Sequence, residues 1–219
     1  MRIAAAFGLA CALAAAAPGA DDRVKIDNDK TRVLFVTSAP GAKSGMHVHK
    51  INRVMIYLDG GNMTLTDPAG KVQTLKFKAG EALWSPAMGD HVSLNLSGHP
   101  VRIAEVELKP KPAGTAAAKP SALDPVKVDP KRYKVEMEND QVRVIRARYG
   151  PHDKGVLHEH ALNRVVTYLT EGNMKVTAPG AEPKTLKNAV GDVTWGGHAK
   201  HIEENLSEKP FEVVVVEFK

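Results

Sequence analysis

Hydrophobic and polar residues alternate with a period of two along much of this 219-residue chain, the pattern of half-buried β-strands. Turn-forming clusters such as Asp59–Asn62 and Asp67–Gly70 separate these segments. Beyond the N-terminal leader, no stretch shows a helical period. The pattern predicts an all-β sandwich or barrel, with strands at Arg32–Thr37, Arg53–Leu58, Met63–Thr66, Val72–Phe77, Val101–Leu108, Val142–Arg146, Arg164–Leu169, Met174–Thr177 and Phe211–Phe218.

The chain contains the same motif series twice, at a nearly constant offset of 111 residues. An HxH pair, an Asn-Arg pair, a Tyr-Leu pair and a Gly-Asn-Met triplet recur in that order. A second series of Gly, Trp, His and Asn-Leu-Ser then follows in each copy, with one residue fewer before the histidine in the second. A period of this length indicates a domain duplication, because solenoid repeats are much shorter.

The first 20 residues have the features of a secretory signal peptide. Arg2 precedes a continuous apolar run from Ile3 to Ala17, which is short for a membrane span, and small residues follow it. We therefore expect the chain to consist, in order, of a leader (1–20), a first domain (21–108), a Pro/Ala/Lys-rich linker (109–127) and a second domain (128–219). The expected location is the periplasm or the extracellular space.

Composition excludes several classes of function. The only cysteine, Cys11, lies in the leader, so no thiolate is expected as a metal ligand or nucleophile in the mature chain. The net charge of +5 comes from scattered lysines without interleaved aromatics, so nucleic-acid binding is not expected. No stable membrane anchor is predicted. The expected partner is a small-molecule ligand or substrate, and a homodimer is left open.

Six of the nine histidines stand at matched positions in the two copies. Alternate residues of a strand point to the same face, so an HxH pair can bind one metal ion with both rings. A third histidine from the second motif series would complete a three-nitrogen site with open positions for water or substrate. The candidate ligands of a divalent transition metal (Fe, Zn, Mn, Cu or Ni) are His47, His49 and His91, and His158, His160 and His201.

These motifs resemble those of the cupin superfamily, G(X)5HXH(X)3–4E(X)6G and G(X)5PXG(X)2H(X)3N, and their duplication resembles a bicupin. The resemblance implies two tandem double-stranded β-helix (jelly-roll) barrels, each with a metal held inside by the three histidines. The glutamate of the first motif is missing, since Arg53 or Val54 and Arg164 or Val165 occupy its place. The ligand set is therefore closer to that of three-histidine cupin dioxygenases.

Glu203 is a candidate fourth ligand in the second domain. It follows His201 by two residues, so strand parity turns both side chains to one face, whereas the first domain has Ser93 at the matched position. The alternative is a Glu203 side chain that faces solvent or pairs with a nearby lysine.

Arg53 and Arg164, each preceded by Asn, are candidate catalytic residues. The guanidinium fork suits recognition of a carboxylate substrate. The alternative is a structural arginine bonded to a carboxylate such as Asp29 or Asp140.

The sequence thus predicts a metal-dependent enzyme, dioxygenase- or isomerase-like, acting on a small organic molecule, with anionic substrates included. The alternative is a non-catalytic periplasmic cupin that binds a metal or a small molecule. A copper carrier of immunoglobulin-like fold is a third reading, which the repeated cupin-like motifs oppose.

Overall fold

The structure is a computed structural model that describes residues 23–111 and 121–219. The predicted signal peptide, Cys11 and the middle of the predicted linker lie outside these ranges. Within them, no helix is long and apolar enough to span a bilayer. The boundaries given above for the leader, the linker and the two domains stay predictions.

Nine strands form the first barrel, which we define as β1 to β9. The five predicted strands are present, and four further ones join them, two of which lie in the second motif series. The bounds are β1 Val24–Asp27, β2 Thr31–Ser38, β3 His47–His49, β4 Arg53–Tyr57, β5 Gly61–Thr66, β6 Val72–Phe77, β7 Ala82–Ser85, β8 Met88–Asn95 and β9 Val101–Leu108.

The second barrel, β10 to β18, repeats this order after one short helix. The bounds are α1 Pro125–Val128, β10 Tyr133–Glu138, β11 Val142–Tyr149, β12 His158–His160, β13 Arg164–Tyr168, β14 Gly172–Thr177, β15 Lys184–Asn188, β16 Val193–Gly196, β17 Ala199–Asn205 and β18 Phe211–Phe218.

The helix α1 was not predicted, because four residues are too few to show a helical period. Asp124 caps it by accepting a hydrogen bond from the Val126 amide, and Pro125 occupies its first turn, where no amide donor is needed. The chain before α1 already contacts the second barrel, since the Glu159 amide donates to the Leu123 carbonyl at 2.8 Å.

Each barrel consists of two antiparallel sheets whose strands pair in the same order. The first has sheets β1-β2-β9-β4-β7 and β3-β8-β5-β6, and the second has β10-β11-β18-β13-β16 and β12-β17-β14-β15. The crossing connections produce a jelly roll in each half. The predicted all-β class and the tandem double-stranded β-helix architecture are confirmed.

Alternate residues of the five-stranded sheets contribute to two different hydrophobic cores, one inside each barrel and one between the sheets. On β4, Met55 and Tyr57 face the interior of the first barrel, while Val54 and Ile56 face the other way. The outward valines of the second barrel, including Val165, join Val54 and Ile56 in one shared cluster. The two five-stranded sheets therefore pack face to face, and each barrel keeps its own interior for a site.

Candidate metal centres

Three histidines meet inside the first barrel because β3 pairs with β8. His47 stands directly opposite His91 in the register, and His49 is one pair further along. The ring centroids are 4.4 Å apart for His47 and His91, 4.9 Å for His47 and His49, and 5.2 Å for His49 and His91. Their candidate ligand atoms all lie within 4.8 Å of one another, a spacing that allows them to hold one metal ion.

Contacts at Nδ1 orient these rings, and two of the contacts are hydrogen bonds. His47 Nδ1 donates to the Gly45 carbonyl at 2.9 Å, and His91 Nδ1 donates to the Gly89 carbonyl at 2.8 Å. His49 Nδ1 lies 3.4 Å from Oε1 of Glu105. With Nδ1 held in this way, Nε2 is the nitrogen that remains for a metal, and the outer partner fixes the tautomer.

The first cluster stands in the wall of a cavity of about 640 Å³. His91 is buried, whereas His47 and His49 are partly accessible. Burial, followed by the charge of Arg53, lowers the pKa of His49 to about 3. His49 is therefore neutral at physiological pH, which is the form that binds metals.

A second cluster repeats this arrangement between β12 and β17. His158 stands opposite His201, and the centroid distances are 4.6 Å for His158 and His201, 5.2 Å for His158 and His160, and 5.6 Å for His160 and His201. All three rings are buried. The Nε2 atom of His201 is buried and has no hydrogen-bond partner in the described part of the chain, so it fits a metal ligand.

The second cluster has tighter surroundings than the first. Tyr133 lies wholly inside the barrel, and its hydroxyl is 2.6 Å from that of Tyr149 and 3.2 Å from Nε2 of His158. The same hydroxyl donates to Oε2 of Glu203 at 2.7 Å, and Tyr149 donates to that oxygen at 3.1 Å. We call Tyr133, Tyr149 and Glu203 the Tyr–Glu cluster. The neighbouring cavity measures about 220 Å³.

Glu203 faces the histidines, as strand parity predicts. Its Oε1 lies 3.7 Å from Nε2 of His201. Burial opposes its ionisation, but His201, His158 and the Tyr133 hydrogen bond outweigh this effect and lower the pKa of the carboxyl group. The alternative of a solvent-facing or lysine-bound carboxylate is wrong, since Glu203 bonds to the tyrosines; its role as a metal ligand stays a prediction.

The two candidate arginines lie in the barrel interiors. Arg53 Nη1 donates to Oε1 of Glu105 at 2.5 Å, and its Nη2 donates to Ser85 Oγ at 2.9 Å. Arg164 Nη1 donates to the Gly197 carbonyl. Arg53 is thus bonded to a carboxylate, as the structural alternative expects, but the partner is Glu105 and not Asp29 or Asp140, which lie between β1 and β2 and between β10 and β11.

Sequence reasoning missed Glu105 and Glu217. Glu217, wholly buried on β18, accepts a hydrogen bond from His160 Nδ1 at 2.8 Å, just as Glu105 on β9 approaches His49. The cupin motif places its glutamate shortly after each HxH pair, whereas Glu105 and Glu217 lie on the last strand of each barrel. The available signal was an acidic residue at an inward position of an otherwise apolar strand.

No protein-family model matches the chain. The beta-alanine degradation protein BauB of Pseudomonas aeruginosa is 34% identical to it over 92 residues, which are 42% of this chain and 96% of that protein. A cupin 2 conserved barrel domain protein from Leptotrichia buccalis superposes with a TM-score of 0.52 at 13% identity, covering 89% of this chain and 86% of that one. The oxalate decarboxylase of Bacillus subtilis, which has Mn(II) centres, superposes with a TM-score of 0.57 at 14% identity, covering 86% of this chain and 69% of that one. The structural likenesses extend over both barrels and concern the fold.

Proposed function

This chain belongs to the cupin superfamily as a bicupin, a protein with two cupin domains in tandem, and from that premise we propose that it is an exported metal-dependent enzyme. Its two histidine clusters fit a metal-binding cupin. The proposed reaction is of the dioxygenase or isomerase class, on a small organic anion, in the first barrel.

One observation carries this proposal. The rings of His47, His49 and His91 converge in the wall of a cavity of about 640 Å³, large enough to admit an organic molecule beside them. The second cluster borders a much smaller space. A three-nitrogen site with room at the metal is the usual design of a catalytic centre rather than a structural one.

The three imidazoles offer nitrogen donors, which suit Fe, Zn, Cu and Ni, and the Mn(II) centres of oxalate decarboxylase place Mn among the candidates. When bound, such an ion supplies Lewis acidity and coordination positions for a substrate. Glu105 lies 3.4 Å from Nδ1 of His49, and the backbone carbonyls of Gly45 and Gly89 accept hydrogen bonds from the other two rings. The protein's contribution is this fixed orientation.

The position of Arg53 is the reason for proposing an anionic substrate. Its side chain is 4% exposed, and it lines the first cavity. Glu105 and Ser85 engage its two terminal nitrogens. A guanidinium in the cavity wall next to the histidines suits the attraction of a carboxylate ligand. The relative BauB, a beta-alanine degradation protein, is consistent with a small acid as substrate.

The test is metal analysis combined with a substrate screen. Protein purified without a metal-affinity tag is loaded separately with Fe(II), Mn(II), Zn(II), Cu(II) and Ni(II), and bound metal and oxygen uptake are measured across small organic acids. We expect turnover that needs the metal and one class of acid, and that His91→Ala abolishes while His201→Ala preserves. Protein that binds no metal would overturn the proposal.

The second candidate function is a non-catalytic metal- or small-molecule-binding cupin of the periplasm. The Tyr–Glu cluster favours it for the second barrel, because it surrounds the histidines with hydrogen bonds and leaves little space. Tight metal binding at both clusters, with neither oxygen uptake nor isomerisation for any acid tested, would establish this alternative.

Export is part of the proposal and has its own test. Its support is Arg2, the apolar run that follows it and the small residues near position 20. N-terminal sequencing of protein from the periplasmic fraction of an expressing bacterium should find a chain that begins close to Asp21. An intact Met1 in the cytoplasmic fraction would contradict export.

A further inference from the structure

The two barrels differ at three matched positions next to their histidines. Ser38 at the end of β2 stands opposite Val101, and Tyr149 at the end of β11 stands opposite the corresponding residue, Phe211. The first barrel therefore has a serine where the second has the Tyr149 phenol.

The register of the smaller sheets gives the second pair. Ser93 stands opposite Leu65 on β5, and Glu203 stands opposite Val176, the matched residue of β14. A short hydroxyl side chain in the first barrel thus corresponds to the carboxylate of the Tyr–Glu cluster.

The third pair is Ser44 and Gly155. The Ser44 amide donates to the Ser93 carbonyl and the Gly155 amide donates to the Glu203 carbonyl, both at 2.8 Å. A Cβ atom on Gly155 would lie 2.9 Å from the Tyr149 hydroxyl. Glycine at this position leaves space for the Tyr149 phenol, which in turn reaches Glu203. The residues at 149, 155 and 203 therefore depend on one another sterically.

The volumes of the cavities next to the histidines agree with these differences. Ser38, Ser44 and Ser93 all line the first cavity, of about 640 Å³, whereas Glu203 lines the second, of about 220 Å³. Ligand sites for organic molecules usually measure roughly 300–1,000 Å³. By this criterion the first cavity can enclose a ligand of many atoms, and the second falls below the range.

The walls of the first cavity are largely apolar away from the metal cluster. They include Leu34, Val36, Met55, Met63, Leu65 and Leu75, while Arg53 stands near the histidines. Apolar walls with one charged group favour a ligand that has a polar head and an apolar body, because each part then finds a matching surface. The methionines add adaptable contacts.

We infer that the first barrel alone binds the substrate, an organic acid whose carboxylate lies at the metal cluster and whose apolar body of several carbons fills the cavity, while the Tyr–Glu cluster closes the second barrel to such ligands. This inference rests on the proposed function, since the metal site provides the place for the acid head.

The test uses zinc-loaded full-length protein, with acetate and octanoate as probes in isothermal titration calorimetry. Octanoate should bind at one site per chain, and at least about 100-fold more tightly than acetate, because each further buried methylene adds a several-fold gain in affinity. Equal affinities, or two octanoate sites per chain, would overturn the inference.

A matched variant introduces the three second-barrel residues at the matched positions of the first barrel. The triple substitution Ser38→Tyr, Ser44→Gly and Ser93→Glu places the counterparts of Tyr149, Gly155 and Glu203 in the first cavity and should weaken octanoate binding at least tenfold while zinc stoichiometry is kept. Leu65→Phe fills the same space with one change, in case the triple variant does not fold. Its counterpart Val176→Phe lies in the second barrel and should leave octanoate affinity unchanged.

The outcomes separate the two proposals. If none of the five metals binds, the proposed function fails. If zinc binds but Leu65→Phe and Val176→Phe affect octanoate equally, only the assignment of the ligand to the first barrel fails.

Discussion

The Nδ1 atom of His160 donates a hydrogen bond to Oε1 of Glu217 across 2.8 Å, although 57 residues separate them in the chain. The bond turns the opposite nitrogen of the ring toward His158 and His201. In the first barrel Glu105 approaches His49 in the same sense. These two glutamates thus lie directly behind one histidine of each cluster.

Removing this support should weaken metal binding. Glu105→Gln and Glu217→Gln are each expected to lower zinc affinity at their own cluster about 10- to 100-fold, because a carboxylate partner orients an imidazole and raises its basicity. Competition with a chromophoric chelator measures the effect. Glu212→Gln is the control on β18, since Glu212 lies on the same strand as Glu217 but pairs with Arg146 at 2.6 Å and Arg148 at 3.0 Å. Equal losses in Glu217→Gln and Glu212→Gln would contradict the assigned role.

The Tyr–Glu cluster should contribute to the stability of the second barrel. Tyr133→Phe removes a buried hydroxyl that contacts Glu203, Tyr149 and Nε2 of His158, so Glu203 keeps only the hydrogen bond from Tyr149 and Nε2 of His158 loses its contact. The expected loss in the free energy of unfolding is about 1–3 kcal/mol. Urea denaturation measures it, with Tyr57→Phe in the first barrel as the control, where the ring stacks on Phe77. A Tyr133→Phe protein as stable as the wild type would refute this role.

Gly172 should not tolerate a side chain. A Cβ atom at this position would lie 2.2 Å from Cδ2 of Phe211, inside the packed core of the second barrel. Gly172→Ala must displace the ring, so we expect a loss of roughly 1–3 kcal/mol and a lower melting temperature. Gly98→Ala is the control because a Cβ there meets nothing within 4 Å. Equal melting temperatures for the two variants would show that the ring moves without cost.

The Asp59–Arg102 pair predicts a pH dependence. Hydrogen bonds from Arg102 hold the pKa of Asp59 below its usual value. A carboxyl group with a lowered folded-state pKa stabilises the protein above the unfolded pKa, and this contribution is lost as the pH falls through the folded value.

Asp59→Asn should therefore reduce stability at pH 7 and approach the wild type near pH 3. The difference at pH 7 should stay below about 1 kcal/mol, because the pair is partly exposed to solvent. Thermal unfolding of both proteins across this pH range is the measurement. A gap that persists unchanged at pH 3 would mean that ionisation of Asp59 does not cause it.

The all-β class, the duplication and the bicupin resemblance could be predicted from the amino-acid sequence. Alternation along Val101–Leu108 and Phe211–Phe218 is a local signal, and both strands have these bounds in the structure. The HxH pairs and the later histidines also follow from short motifs, and pairing of β3 with β8 and of β12 with β17 brings them together.

Only the tertiary structure decided what surrounds each cluster. Glu217 stands opposite Arg164 in the register, which makes Glu107 its counterpart, yet Glu105 is the residue that reaches His49. Matching the repeats therefore selects the wrong glutamate. The contrast between a wide first cavity and a tightly occupied second one likewise depends on side chains from distant strands. The physical reason is that strand periodicity specifies which face a residue occupies, whereas barrel closure determines which residues meet across the interior.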